Sequence, residues 1–346
     1  MAEVRLPDNV LYNIFAFLPQ KSFLRSRCVS KYWNRLISDP YSMKLRSRHL
    51  IFPPIPLHDL DHDVPFDNTD VSMINLLSSF ETLRKKEVTI VGSFTGVVLM
   101  VIKDCRDSMD MLLYNPFTRV FRILPFPLPS RSPSCKFVYG FGYGKNPNDL
   151  KIFRCRTCDV TYDVFSLKTS SWSCSQDLDP LVEFKDDVGT FINGFLYWFA
   201  DNFENIVIVA LDFEKMVFSQ MPLPCSYKSS ILGTLSGCLC MTTKSDNGTG
   251  FDVWSMKEQE VKNIWSKTFT ICLDRIYLRN FKPTSILDDG RILMTNGQRR
   301  LLIYDKSEDT YKMWTVMNGF EDLASIRCTE YVESLISPFN ICYAVS

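Results

Sequence analysis

Apolar residues near the start of the chain recur every three or four positions, which is the spacing of one face of an α-helix. The stretch 6–19 opens with Pro7 and Asp8, and Pro19 is suited to end a helix there. We therefore predict a first helix with Asp8 as its N-cap. Its apolar positions are Val10, Leu11, Ile14, Phe15, Phe17 and Leu18.

Two more helices and the start of a fourth are predicted in the next twenty residues. Residues 21–28 form the second helix, and Ser30 is a good N-cap for the third. Asp39 and Pro40 fit the N-cap and first position of a further helix. The apolar face of the third helix holds Trp33, Leu36 and Ile37.

Three or four short helices in about 45 residues cannot bury all of these apolar groups by themselves. Two interpretations follow, and the sequence leaves both open. Some of the groups face a partner protein, or they complete the module's own core and dock on the rest of the chain. The residues concerned are Leu6, Ile14, Leu18, Val29 and Trp33.

The rest of the chain repeats a different pattern, a strand followed by a polar turn and an aromatic residue. The five closing aromatics lie 46 to 51 residues apart, at Phe121, Trp172, Phe218, Trp265 and Trp314. A glycine at the entry of an apolar strand precedes each of them by 24 to 30 residues, at Gly96, Gly142, Gly194, Gly237 and Gly290. We expect each glycine to form a tight turn and each aromatic to pack between neighbouring sheets.

A period near 48 residues with about four short strands per unit is typical of a β-propeller. Residues 51–346 hold about six such units, and five to seven blades remain open. The last blade is expected to combine the first strands of this region with the segment 329–338. Such a closure removes exposed sheet edges. We therefore predict a small all-α head at 1–46 and an all-β propeller at 47–346.

Charge divides the chain at the same place as the pattern. The 39 Lys and Arg residues balance the 39 Asp and Glu residues, which excludes a globally basic nucleic-acid binder. Residues 1–50 nevertheless carry a net charge of +6. This surplus could meet nucleic acid or an acidic protein, or it could be a solvated helix face.

Few residues of this chain could perform chemistry. There are only three histidines, at 49, 58 and 62, and no phosphate-loop, dinucleotide or serine-hydrolase motif occurs. Cys155 and Cys158 could form half of a zinc site or a redox pair, but no second pair has matching spacing. His58 and His62 among aspartates could hold a divalent cation, although a strand and loop is the plainer interpretation. We predict no catalytic residue, no metal and no cofactor.

The twelve cysteines do not indicate secretion, because no apolar signal segment or membrane-spanning run accompanies them. We expect a chain in a reducing compartment with most cysteines acting as small buried apolar residues.

The segment 6–40 resembles an F-box. The matching pieces are the opening Leu-Pro, the step at Leu18, Pro19, Lys21 and Ser22, the segment 27–33, and the closing Leu-Ile-Ser-Asp-Pro at 36–40. The resemblance implies binding to a Skp-type adaptor, and through it to a cullin-based ubiquitin ligase. The residues that it assigns to the adaptor are Leu6, Pro7, Ile14, Phe15, Leu18, Pro19, Leu24, Cys28, Val29 and Trp33.

The remainder resembles the kelch-related, F-box-associated domain of plant F-box proteins, on segments such as 114–127, 139–154, 189–200 and 331–338. The resemblance implies that the propeller binds a protein destined for ubiquitination and proteasomal degradation, in the cytoplasm, the nucleus or both. It implies no nucleic-acid or membrane partner. A non-degradative F-box scaffold, and a propeller lectin or enzyme, are the alternatives.

Target-binding residues cannot be assigned from the sequence. The candidate loops are 103–110, 128–136, 201–205 and 242–250. They carry Arg106, Asp110, Arg131, Lys136, Asp201, Phe203, Glu204 and Lys244.

Overall fold

A computed structural model describes most of the chain. The described residues are 6–18, 20–39, 48–52, 58–61, 74–75, 87–103, 108–125, 135–158, 161–173, 176–178, 182–227, 229–246, 248, 250–259, 262–272, 281–287, 289–296, 300–315 and 328–343.

Three short helices come first, α1 (Asp8–Ala16), α2 (Gln20–Ser26) and α3 (Lys31–Ser38), and we call residues 6–39 the head. The prediction for α3 is confirmed, since the Ser30 hydroxyl accepts a hydrogen bond from the amide of Trp33 at 3.1 Å. The predicted N-cap of α1 is wrong. Pro7 occupies that position, and the Asp8 carboxylate instead accepts a hydrogen bond from the Tyr32 hydroxyl.

The second helix ends two residues earlier than predicted. The amides of Cys28 and Val29 bond the carbonyls of Arg25 and Ser26, three residues back, so the chain leaves α2 in a tighter turn. The start of a fourth helix at Pro40 lies outside the described residues, as does the boundary between 46 and 47, which stays a prediction.

The described strands form six antiparallel sheets. Three strands come before the first blade, β1 (Arg48–Phe52), β2 (His58–Asp61) and β3 (Ile74–Asn75). The first blade holds β4 (Glu87–Phe94), β5 (Val97–Lys103), β6 (Met109–Asn115) and β7 (Val120–Leu124). The second holds β8 (Phe137–Tyr143), β9 (Leu150–Arg156), β10 (Thr161–Ser166), β11 (Ser171–Trp172) and β12 (Gln176–Asp177).

The other blades follow in chain order. The third holds β13 (Glu183–Phe184), β14 (Thr190–Ile192), β15 (Phe195–Asp201), β16 (Ile206–Asp212) and β17 (Val217–Met221). The fourth holds β18 (Ile231–Leu235), β19 (Cys238–Lys244), β20 (Gly250–Gln259) and β21 (Lys262–Cys272). The fifth holds β22 (Lys282–Ile286), β23 (Ile292–Thr295), β24 (Arg300–Asp305) and β25 (Thr310–Thr315).

The remaining sheet joins the two ends of the propeller. Strand β26 (Thr329–Val332) pairs with β1, and the sheet order is β26–β1–β2–β3. Five blades of consecutive strands and one closing sheet thus lie within the range of five to seven. The predicted propeller, and its closure by the segment near 329, are confirmed.

Four of the five marker glycines form the expected turns. Gly96, Gly194, Gly237 and Gly290 have φ between +72° and +92°, in the left-handed region that glycine enters readily. The prediction for Gly142 is wrong, because this residue lies inside β8. A side chain there would collide with the ring of Phe191, so close packing explains this glycine.

The closing aromatics pack between blades where the structure describes their surroundings. Trp172 joins the core between the first and second blades, Phe218 that between the second and third, and Trp265 that between the third and fourth. Phe121 lies half-exposed on the outer strand β7. The side chain of Trp314 lies outside the described residues.

Antiparallel strands send successive connections to opposite ends of the ring. One end carries the turns 95–96, 116–119, 167–170, 193–194, 213–216, 236–237 and 306–309, and we call it the head-side face. The other end, the distal face, carries the described connections 157–158, 202–205, 222–227 and 245–246.

Candidate functional site

Helix α1 has two different sides. Leu11 and Phe15 point into the core of the head and are buried. A neighbouring side carries an exposed apolar stripe, in which Ile14 is 43% and Phe17 89% exposed. Val10 and Ile14 lie one helical turn apart on α1, Phe17 follows at its C-cap, and Leu6 precedes the N-cap, Pro7. The stripe consists of Leu6, Val10, Ile14 and Phe17.

The ten residues assigned to the adaptor by resemblance fall into different environments. Leu6, Pro7, Ile14, Cys28 and Val29 are exposed, and Val29 is 63% exposed in the turn after α2. Leu18, Leu24 and Trp33 are half-buried and pack against the head core. Pro19 lies outside the described residues.

Phe15 needs a correction as a surface residue. Its side chain is fully buried, and its ring meets Phe23 at 6.4 Å and Trp33 at 5.1 Å between centroids. It is therefore a core residue of the head and not part of the exposed stripe.

Sequence reasoning missed Val10 and Phe17 as surface candidates. The signal was present, because Val10 lies four residues before Ile14 and Phe17 three after it, which is helical spacing. The resemblance directed attention to motif residues, and Phe17 stands outside them.

The apolar core of the head also includes residues of the propeller. It gathers Leu11, Phe15, Phe23, Leu36 and Ile37, and it also includes Phe117 from the propeller, with Leu335 packed against it. Of the residues left open by the sequence, Leu18 and Trp33 pack against this core, whereas Leu6, Ile14 and Val29 stay exposed, and their contact with a partner stays a prediction. Part of the apolar surface docks on the propeller, and part stays exposed.

Basic residues lie on the surface of the second half of the head. Lys21, Arg25, Arg27, Lys31 and Arg35 are all exposed. The Tyr12 hydroxyl donates to the Asp39 carboxylate at 3.1 Å; partial burial and this hydrogen bond raise the pKa of Tyr12. The exposed surface of the head is thus apolar along α1, and its exposed cations lie on α2, α3 and the turn between them.

The distal face collects the described parts of all four candidate target loops. These parts are Lys103 with Ser108–Asp110, Cys135 with Lys136, 201–205, and 242–246 with Gly248 and Gly250. The sequence could not show that they lie together. Alternation of strand direction places them on one end of the ring, opposite to Phe117.

The β15–β16 turn presents a single aromatic on this face. Phe203 is 69% exposed and has a φ of +68°, which is unusual for a bulky residue. Side chains before it hold the turn. The Asp201 carboxylate accepts from the Phe203 amide at 2.9 Å, and Asn202 Oδ1 accepts from the amides of Glu204 and Asn205. Strain held in this way is common where a side chain serves binding.

Lys185 lies between two carboxylates beside this turn. Its Nζ is 3.2 Å from Glu183 and 3.5 Å from Asp201. Burial acts to lower the pKa of Lys185, but the two carboxylates outweigh it and raise the pKa. The lysine therefore stays charged.

The cysteine motif does not form a pair in the predicted sense. Cys158 is joined by a disulfide to Cys135, and Cys155 is a buried free cysteine. The expectation that most cysteines act as small buried apolar residues is wrong for the described ones, because of the described free cysteines only Cys155, Cys240 and Cys342 are buried. Most described cysteines remain free thiols.

Within the described part of the chain, no three His, Cys, Asp or Glu residues cluster in a way that could hold a metal ion. The side chains of His58 and His62 lie outside it. Among the described helices, none has the length and apolar content needed to cross a bilayer.

Comparison with known proteins agrees with this architecture. Residues 54–344 match the family described as the F-box associated beta propeller domain, and residues 4–45 match the family described as F-box-like. The Arabidopsis thaliana F-box protein CPR1 is 25% identical over 305 residues, which cover 77% of this chain and 73% of that protein.

A second Arabidopsis thaliana relative, the F-box/kelch-repeat protein At3g23880, is 24% identical over 363 residues. The alignment covers 97% of this chain and 96% of that protein. Among solved structures, a chain of a nidogen/laminin complex superposes with a TM-score of 0.49 at 11% identity, covering 83% of this chain and 99% of that one.

Proposed function

This chain belongs to the F-box proteins that carry an F-box associated β-propeller domain, and on that premise we propose that it is the substrate-recognition subunit of an SCF (Skp–cullin–F-box) ubiquitin ligase. The head binds a Skp-type adaptor and, through it, the cullin. The propeller binds a target protein, which is ubiquitinated and degraded by the proteasome. The proposal places the chain in the cytoplasm, the nucleus or both.

The observation that carries the proposal is the exposed stripe on α1. A row of large apolar side chains on one helix face is unfavourable in water unless a partner covers it. A neighbouring face of the same helix, with Leu11 and Phe15, is already packed in the head core, so the helix cannot turn to bury the stripe. Exposed cations on α2, α3 and the turn between them favour an acidic partner by charge complementarity, which acts mainly on association rate and orientation.

The contribution of this chain to ubiquitin transfer is proximity. Holding adaptor and target on one molecule makes the transfer effectively intramolecular and raises the local concentration of target lysines. No side chain of this chain takes part in the bond-forming step. The distal face supports target binding because it presents the candidate loops and the exposed ring of Phe203.

The adaptor contact is tested by changing the stripe. We expect Ile14→Glu and Phe17→Glu each to weaken binding of a purified Skp-type adaptor by at least about tenfold, because each places a charge in an apolar contact. Changing Leu6 and Pro7 together to Ala is expected to abolish recovery of the adaptor in a pull-down.

The matched control is Val217→Glu, which places the same charge at an exposed apolar residue on the propeller strand β17. Adaptor affinity is expected to stay unchanged in this variant. Normal adaptor binding by both stripe variants would reject the assignment. Accumulation of a captured target when the ligase is inhibited separates degradation from a scaffold role.

A further inference from the structure

The propeller offers an internal comparison at one turn. In four blades, the third and fourth strands are joined by a four-residue turn, at 116–119, 167–170, 213–216 and 306–309. The second residue of these described turns is Phe117, Lys168, Glu214 and Ser307. The three polar residues are exposed, whereas Phe117 is only 1% exposed.

Phe117 is buried because the head covers it. Its ring meets that of Phe23 in α2, with centroids 5.8 Å apart and planes at 61°. Edge-to-face contacts of this kind add to the gain from burying the rings. The corresponding turns of the other three blades, which we call the sister turns, are not part of the head core, and their second residues are polar. The aromatic at 117 therefore serves the head and not the blade.

Asn115 holds the turn that carries Phe117. This residue is fully buried, its side-chain oxygen accepts from the amide of Thr118 at 3.0 Å, and its carbonyl accepts from the amide of Arg119 at 2.8 Å. Asp212 and Asp305 cap the sister turns in a similar way.

An amide has donors that an ionised carboxylate lacks. Asn115 Nδ2 donates to the carbonyls of Ser334 and Ile336, each at 2.8 Å. These bonds hold the segment that follows β26, and this segment carries Leu335 against the head core. One side chain thus fixes both propeller elements that, among the described residues, contribute to the head core.

We propose that Phe117 and Asn115 are positioning residues: the closed propeller completes the core of the head and thereby holds the adaptor surface at a fixed orientation on the ring. Only the purpose of this fixed orientation rests on the proposed function. That purpose is to set the direction from the adaptor to the target. The head is then not an independent module on a flexible connection.

The test uses the full chain and replaces Phe117 by residues that occupy the same turn position in other blades. Phe117→Lys installs the residue of the second blade's turn, so the turn can fold while the head loses its contact. Phe117→Ser, from the fifth blade, is the second variant. Phe117→Leu is the conservative variant, and Lys168→Ala is the control in a sister turn.

Two measurements report on the head. Hydrogen exchange follows the amides of α1, α2 and α3, and spin labels on non-natural residues at Asn13 and Glu308 report the distance from head to ring. In Phe117→Lys we expect head amides to exchange at least about tenfold faster and the distance distribution to broaden. Exchange in the propeller strands stays as in the parent chain, and Phe117→Leu restores the narrow distribution.

Unchanged head exchange and an unchanged distance distribution in both polar variants would overturn the inference. Equal loss of protection in head and propeller would also overturn it, because Phe117 would then be a blade residue. Neither measurement involves the adaptor. A parent chain that keeps a fixed head but binds no Skp-type adaptor would therefore reject the proposed function alone.

Discussion

The buried guanidinium of Arg154 is stabilised by side chains on neighbouring strands. Arg154 is almost fully buried in β9, where its guanidinium pairs with Asp163 of β10 and lies about 5 Å from the ring centroids of Phe137 and Trp172. A charge is tolerated in such a core only when it is paired and hydrogen-bonded. Specific contacts within the second blade therefore include polar groups and not apolar packing alone.

Asp252 in β20 is held by three donors. Its Oδ1 accepts from the Ser245 hydroxyl at 2.8 Å and from the Thr270 hydroxyl at 2.7 Å, and it lies 2.8 Å from Lys267 Nζ. Burial acts to raise the pKa of Asp252, but these hydrogen bonds outweigh it and hold the pKa below its usual value of 3.8.

We expect Asp252→Asn to lower the free energy of unfolding at pH 7 by about 1–3 kcal/mol, because the bonds to a charged acceptor are lost. A depressed pKa stabilises the fold above the usual value and loses this effect as pH falls through the folded-state value. The difference between the two proteins should therefore shrink below about pH 4, as measured by urea unfolding. A difference that stays constant to pH 2 would contradict it.

The stripe on α1 and the turn of the β15–β16 hairpin are the elements proposed to bind partners, and each combines a buried side with an exposed one. Local patterns predict such elements well, because helical spacing and turn residues depend on near neighbours. Which side meets water depends on what packs against the other side. Phe15 and Phe17 are both apolar residues of the same stretch, and only their packing distinguishes them.

At the hairpin, Phe203→Gly separates stability from binding. Glycine enters the left-handed region without the steric cost of a side chain, so we expect the free energy of unfolding to stay unchanged or to rise by up to about 1 kcal/mol. Capture of the target protein should weaken. Thermal unfolding and affinity capture with an inactivated ligase measure the two effects. A clear loss of stability would show that the ring has a structural role.

At the scale of the whole molecule, closure of the propeller ring connects distant parts of the chain. The closing sheet needs β26 beside β1, and the same terminal segment reaches the head through Leu335. The ring, the head and the chain end are therefore stabilised together. Such coupling makes the distance between adaptor surface and distal face a property of the entire fold.

Removal of residues 329–346 is expected to prevent closure of the propeller, because it leaves the edge of β1 unpaired and removes the contacts of this segment with the head. The truncated chain should elute as aggregate in size-exclusion chromatography. Its β-sheet signal in circular dichroism should melt at a lower temperature. A shorter truncation of residues 344–346 serves as the control and should behave as the parent chain. A monomeric, stable product from the longer truncation would contradict this prediction.

The spacing of apolar and turn residues along the sequence was sufficient to predict the helical head, the repeated blades and the pairing of the first and last strands of the propeller. These features follow from spacing and turn chemistry, which act between neighbouring residues and repeat along the chain. The family resemblance added the adaptor as a partner, and no local pattern contradicted it.

Other features arise only when distant segments meet. Asn115 bonds a carbonyl 219 residues away, Cys158 pairs with Cys135 and not with its motif neighbour, and Phe117 completes the core of a head that lies far earlier in the chain. Burial, hydrogen-bond partners and the exposed side of a helix are set by contacts in space, and spacing along the chain does not encode them.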